Sequence, residues 1–350
     1  MGFAAGSSRR AVSGACAVAV GIAVAGAIAR ADLVSENGTT AITPAMTLAT
    51  GASCSGSRTA IAAGFDSDGL STVWLGFLVP TLPWPPFYTP LGADPGSYVA
   101  QQSFYWTATN DGQVDHGVAY TAVCAPFAAT TVVGAGLFIP TSGAGGDRVL
   151  CPAGSFATGG GIEVPVSPAT VTVADGPVLD DGSADGVRLV SVADGAAAAP
   201  IGWRGAGRFV QSSVFQSTAQ VAAVCVPTPL TTQVASVTVP AFMQAATRAL
   251  CPAGTVAYGG GIDDDDPDSA LLTATAPVFD DGTPNGQRLI SRPNGADAAP
   301  IGWFGSIRND DALDHTLKVA AICPEPIPEQ LELAVVSALL ATRRGRRRRS

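Results

Sequence analysis

The chain has 350 residues, a formal net charge of −9, 47% hydrophobic residues and only 13% charged ones. An acidic chain excludes a nucleic-acid binder, whose body should be basic, and this apolar content excludes wholesale disorder. At about 100–200 residues per domain the length predicts two or three domains, and 41 glycines with 26 prolines predict many turns.

The first element is an export signal. Arg9 and Arg10 precede an uncharged stretch, Ala11 to Ala29, rich in Ala, Val, Gly and Ile, and Ala29-Arg30-Ala31 satisfies the small-x-small rule. Residues 1–31 therefore read as a signal peptide that engages an export translocase and is removed by signal peptidase, leaving Asp32 first. The alternative is an uncleaved anchor, because nineteen apolar residues nearly span a bilayer; their Ala and Gly content makes them weakly hydrophobic. Arg9-Arg10 fits a twin-arginine signal only in part. Cys16 stands too close to the arginines to be a lipoprotein cysteine.

The body is a threefold repeat. The segment from Cys151 to Glu163, CPAGSFATGGGIE, returns as CPAGTVAYGGGID from Cys251 to Asp263. Downstream, Asp180-Asp181-Gly182 matches Asp280-Asp281-Gly282, Arg188 matches Arg288, and Trp203 matches Trp303, all at an offset of 100. A fainter copy starts at Cys54, with Gly64 at the place of Gly161 and Gly261, and Asp66 at that of Glu163 and Asp263. Trp106 takes the tryptophan position in this reading, because each Cys-to-Trp distance is 52 residues. Three units follow: a divergent first unit at 32–124, a second at 125–225 and a third at 226–323.

Each unit closes on a strand-like run ending in cysteine. With Cys16 in the signal, six cysteines remain, and six allow 15 connectivities. The repeat selects the simplest: Cys54–Cys124, Cys151–Cys225 and Cys251–Cys323. Paired cysteines after a signal imply an oxidising compartment. CxxC spacing is absent and both histidines lie eight residues before a cysteine, so zinc receives little weight.

Short Val/Thr/Ile runs, such as Thr130 to Val133, Val171 to Val173, Val187 to Val192 and Val234 to Val239, are separated by Gly, Pro, Asp and Asn. This pattern predicts an all-β chain of three tandem, disulfide-closed, sandwich-like units. A hairpin is expected before the first cysteine of the second and third units, at 127–150 and 230–250. The Gly159–Gly161 and Gly259–Gly261 triplets are expected to let a strand bulge or pack against the tryptophan. The layout Cys-Pro-x-Gly, Gly-Gly-Gly, Trp, Cys resembles uncharacterised repeat domains of exported bacterial proteins, closely over 125–323 and loosely over 40–124. That resemblance implies place and fold and carries no chemistry.

Candidate sites are few. Asp263, Asp265, Asp266 and Asp268 crowd one acidic run and are calcium candidates, since calcium takes six to eight oxygens; the competing reading is a solvated loop. Asp66-Ser67-Asp68-Gly69 and the Asp-Asp-Gly turns are weaker candidates of that kind, and no other cofactor is indicated. Asp115-His116 and Asp314-His315 match in place, each five residues after an asparagine, Asn110 or Asn309. An Asp-His pair invites a hydrolase reading, but the second unit has Gln216-Ser217 there and no G-x-S-x-G elbow exists. A polar strand pair is the competing reading, and no enzyme is expected. Trp74, Trp84 and Tyr88 give the first unit an aromatic set suited to stacking on sugar rings; the competing reading is core packing.

The last element is a tail. Pro324-Glu325-Pro326 leads to an apolar run, Leu333 to Ala341, and then to six arginines among residues 343–349. This order resembles the PEP-CTERM sorting tail of Gram-negative surface proteins. The resemblance implies recognition by a membrane exosortase, cleavage near the signature, and delivery to the cell surface or beyond. The arginines would remain cytoplasmic by the positive-inside rule. Glu329, Gln330 and Glu332 depart from the family pattern and shorten the clean run. A short amphipathic helix with a solvated basic tail is the alternative. Without the two ends (1–31 and 324–350), the body carries ten basic and 25 acidic residues, a net −15. The leading expectation is an exported structural or adhesive repeat protein of the surface or extracellular matrix, touching membrane only through its terminal segments. A carbohydrate-binding array facing extracellular polysaccharide comes second, and a secreted hydrolase third.

Overall fold

The structure, a computed structural model, describes residues 33–81, 94–100, 102–164, 170–210 and 217–325. The signal segment, Trp84, Tyr88, Pro326 and the rest of the tail lie outside the described residues. Apart from two three-residue 3-10 turns, Leu189–Ser191 and Leu289–Ser291, all described regular structure is β.

The first unit supplies β1 (Val34–Ile42), β2 (Thr47–Ser53), β3 (Thr59–Ser67), β4 (Val73–Pro80), β5 (Gly96–Val99), β6 (Ser103–Asn110) and β7 (His116–Ala125). The second supplies β8 (Thr130–Val133), β9 (Leu137–Ile139), β10 (Ala144–Leu150), β11 (Phe156–Glu163), β12 (Thr170–Leu179), β13 (Val187–Arg188), β14 (Pro200–Phe209) and β15 (Ser217–Val226). The third supplies β16 (Leu230–Val239), β17 (Gln244–Leu250), β18 (Gly259–Asp264), β19 (Ala270–Phe279), β20 (Gln287–Arg288), β21 (Pro300–Asn309) and β22 (His315–Pro324).

Every unit divides into two antiparallel halves that face each other. In the first unit they are β1-β7-β3 and β2-β6-β4. A disulfide joins the halves of each unit, Cys54–Cys124, Cys151–Cys225 and Cys251–Cys323, so the sandwich-like, disulfide-closed unit is present three times. Closing loops with sequence separations of 70, 74 and 72 contributes about 4 kcal/mol each in the chain-entropy account. Such bridges are compatible with an extracellular or otherwise oxidising environment.

The halves do not stay within their own unit's sheet. The half β1-β7-β3 continues into β19-β21-β17 of the third unit, β11-β15-β8 continues into β4-β6-β2 of the first, and β18-β22-β16 continues into β12-β14-β10 of the second. Each unit thus completes a sheet with each of the other two, and the three sheets close a ring. The seams fall at one repeated register, Phe65 opposite Thr275, Ile162 opposite Leu78 and Ile262 opposite Asp175. Residues 33–324 accordingly form one compact unit, and one apolar core cluster draws residues from all three repeats.

The glycine triplets sit where strands approach most closely. A Cβ on Gly159 would strike the Ile61 carbonyl and Ala62, one on Gly160 would overlap the Trp203 ring, and one on Gly161 would overlap the Leu78 carbonyl across the seam. The ladder also shifts between Ala157 and Gly159, so bulge and tryptophan contact both occur.

Two sequence expectations need correction. Trp106 is not the counterpart of Trp203. Val149 opposes Trp203 and Pro177 opposes it on the other side, whereas the matching Ala52 and Pro80 oppose Phe104. Phe104 therefore holds the tryptophan place, and Trp106 stands one pleat further along the same face. Neither expected hairpin forms: over 127–150, β8 and β9 pair with β15 while β10 pairs with β14 in another sheet, and over 230–250, β16 pairs with β22 while β17 pairs with β21 in another sheet. Phe242, with φ of 56°, turns the chain from one sheet to the facing one, as Ala45 (φ 57°) does in the first unit.

Candidate functional site

The acidic run of the third unit begins on β18, where alternate side chains point to opposite faces. Asp263 is buried and receives Arg188, whose Nη2 and Nε donate to its two oxygens at 2.8 and 3.2 Å. Asp66 receives Arg288 in the same way, and Ile290 N donates to it at 3.0 Å. Burial raises the Asp66 carboxyl pKa despite that arginine. These matched pairs are clamps between neighbouring units. Glu163, also buried, is the third acid of this set, and the stretch of the first unit equivalent to the arginines lies outside the described residues.

Asp263 is therefore committed to an arginine and does not join a calcium site. Asp268 accepts the Ala144 amide. Of the four calcium candidates, only Asp265 and Asp266 turn toward His315, whose Nδ1 lies 3.6 and 4.0 Å from them. Asp264, which sequence reasoning missed, joins them. Its carboxylate, Asp265 and His315 bring one ligand atom each to within 4.8 Å of one another, and Asp266, Asp311 and His315 form a second such group. Asp264 is 0% exposed, and neither of its oxygens has a hydrogen-bond partner. Burial, then the neighbouring Asp265 carboxylate, pushes its pKa up to about 8. Burial works against ionisation of Asp265 too, but hydrogen bonding from Thr316, the adjoining Asp264 carboxyl and the nearby His315 outweigh it and hold this carboxyl below its usual value. The repeat could have exposed this division. Asp66, Glu163 and Asp263 recur and so serve the common scaffold, while Asp264 and Asp266 are peculiar to the third unit.

The histidines do not pair with the aspartates beside them in sequence. His116 Nδ1 lies 3.0 Å from Asp68, and its Nε2 lies 2.9 Å from the Thr72 hydroxyl. His315 Nε2 lies 3.0 Å from Ser269 Oγ, and Asp314 accepts the Ala241 amide instead. Carboxylate, imidazole and hydroxyl follow the order of a hydrolase triad. Yet Thr72 Oγ1 also reaches Gly69 O at 3.4 Å, and Ser269 Oγ reaches Asp266 O at 3.5 Å, so both hydroxyls brace a turn. The Asp-Asp-Gly segments are turns as well. Asp180 accepts Gly182 N and Asp280 accepts Gly282 N, at 2.8 and 2.9 Å, which occupies these carboxylates locally. Hydrogen bonds from Ser183 and Thr283 hold Asp181 and Asp281 below the ordinary carboxylate pKa.

Trp74 is buried at 6% exposure, beneath the Arg308 guanidinium at 5.6 Å, and offers no open ring face. The other two members of the aromatic set lie outside the described residues.

A different surface feature recurs. Asn110 donates to Val114 O and its own amide donates to Met46 O, tying two loops together. Asn309 repeats this with Leu313 O and Met243 O. The result is an apolar tip on each of these units. Five of the seven exposed large hydrophobic residues among those described are here: Met46, Val114, Phe242, Met243 and Leu313.

No protein-family model matches this chain, and comparison with curated proteins yields no match either.

Proposed function

We propose that the protein is an exported, non-catalytic structural and adhesive component of the cell surface or extracellular matrix, delivered by its signal segment and by exosortase processing of the tail. The apolar tips carry the adhesive half of this reading. Clustered exposed hydrophobic side chains mark interaction surfaces, and here they recur on a cross-linked body. Phe242 itself and Ala45, next to Met46, adopt left-handed φ, a conformation that costs about 1–3 kcal/mol for a non-glycine residue and persists where surrounding structure enforces it. Export is supported by three cystines and by the residue pattern of both ends. The Pro-Glu-Pro signature starts at Pro324, the last residue of β22, so cleavage near it would leave the body whole.

The test compares the secreted protein with a variant carrying serine at Met46, Val114, Phe242, Met243 and Leu313. Retention on a hydrophobic resin and attachment to cells should both drop strongly while the melting temperature stays unchanged. Undiminished attachment by a folded variant would defeat the adhesive reading.

A further inference from the structure

We propose that Asp264, Asp265 and His315 form a binding site for one divalent metal ion of the zinc class. The first argument is Asp264 itself. A carboxyl group buried with no hydrogen-bond partner is costly unless something compensates it. Here one of its oxygens lies within 4.8 Å of a second carboxylate oxygen and an imidazole nitrogen.

The second argument is the orientation of His315. Its Nδ1 stands 3.6 Å from Asp265 and 4.0 Å from Asp266, too far for hydrogen bonds. Its Nε2 lies at hydrogen-bond distance, 3.0 Å, from Ser269 Oγ, with Asp311 at 3.8 Å. A metal-bound histidine is characteristically held this way, its outer nitrogen donating to a neighbour while the inner one offers its lone pair. With Nδ1 as ligand, the two carboxylates balance the ion's charge, and Asp266 stands beside the remaining position.

The third argument is internal to the molecule. The first unit has the same turn, histidine and hydroxyl, but Ser67 replaces Asp264, and Asp68 is already bonded to His116 Nδ1 at 3.0 Å. The second unit has Val164 and Ser217 at the corresponding places. Only the third unit combines the extra buried acid with an imidazole nitrogen left unbonded. An imidazole among carboxylates suits zinc, cobalt or nickel, whereas calcium calls for six to eight oxygens.

The experiment uses the full exported chain with disulfides intact, stripped by chelator and titrated calorimetrically with Zn²⁺ and, in parallel, Ca²⁺. Co²⁺ serves as the spectroscopic probe. One Zn²⁺ per chain should bind and raise the melting temperature, Ca²⁺ should bind far more weakly, and Co²⁺ should give visible d–d absorption. Asp264→Asn and His315→Gln should each weaken Zn²⁺ by about a hundredfold or more, while His116→Gln should bind as the parent does. Asp264→Asn removes a buried carboxyl, so its metal-free form should fold at least as stably and isolate ligand loss from misfolding. Absence of stoichiometric Zn²⁺, equal affinity for Ca²⁺, or full binding by Asp264→Asn would each overturn the proposal.

Discussion

Trp203 Nε1 donates to Asp175 at 2.6 Å, and Trp303 Nε1 donates to Thr275 at 2.8 Å. Leu78 holds the corresponding place in the first unit, where the aromatic partner is Phe104, a ring with no N–H to satisfy. At this place each indole meets an acceptor and the phenyl ring meets leucine, in keeping with the cost of burying an unpaired donor, although Trp106 Nε1, one pleat along, is buried without a partner. Asp175 is an expensive acceptor, because burial pushes its pKa up to about 7 against the indole bond that lowers it. The folded state therefore holds a proton that the unfolded chain releases above about pH 4. This contribution to stability is complete below that pH, declines as pH rises, and is lost above about 7, by at most about 4 kcal/mol. Urea unfolding at pH 4.5 and 7.5 should show the decline, and Asp175→Thr, copying the third unit, should reduce it, the remainder belonging to Asp66 and Asp264, whose pKa values burial also raises. An unchanged difference between the two pH values would count against a buried Asp175. Equal Cys-to-Trp spacing suggested Trp106 as the matching ring. Spacing counts residues, whereas strand pairing decides which residue faces the partner, and two residues of slip leave the face unchanged.

The repeated arginine and the repeated acid were both visible as matched positions, but no one-dimensional pattern shows that each arginine reaches the acid of another unit. Arg188 and Arg288 sit at the ends of two-residue strands beside a 3-10 turn, which is why the expected strand at 187–192 is cut short. Removing one arginine leaves a carboxylate buried and uncompensated. Arg288→Met should cost about 3 kcal/mol, read as a lower denaturation midpoint in guanidinium chloride. Adding Asp66→Asn should recover most of it, and failure of that rescue would show the arginine acting through packing over Phe304, 4.5 Å away. Strand runs were legible because Val, Thr and Ile suit a half-buried pleat. The absence of a 230–250 hairpin was not, because Phe242 supplies a left-handed turn that its residue type does not advertise.

The three-unit organisation could be read from sequence, along with the cystine pairs. The sharing of sheets could not, since seams made by single residue pairs at a repeated register leave no compositional trace. Sharing has a thermodynamic consequence. If each unit completes a sheet in both others, none retains its folded surroundings when another opens. Unfolding of the oxidised protein should be one transition, with calorimetric and van't Hoff enthalpies equal. Three resolved transitions would mean that the seams contribute little. A single excised unit, such as 226–324, should expose two raw sheet edges and aggregate.

The strand β22 also gives the molecule a direction. Leu313 lies just before its first residue, and Cys323 and Pro324 are its last. Ten residues at about 3.3 Å each separate the two by roughly 30 Å. The chain thus leaves the third unit at the cystine end, while Phe242, Met243 and Leu313 crown the other. A molecule held by whatever follows Glu325 would carry those side chains outward like the head of a peg.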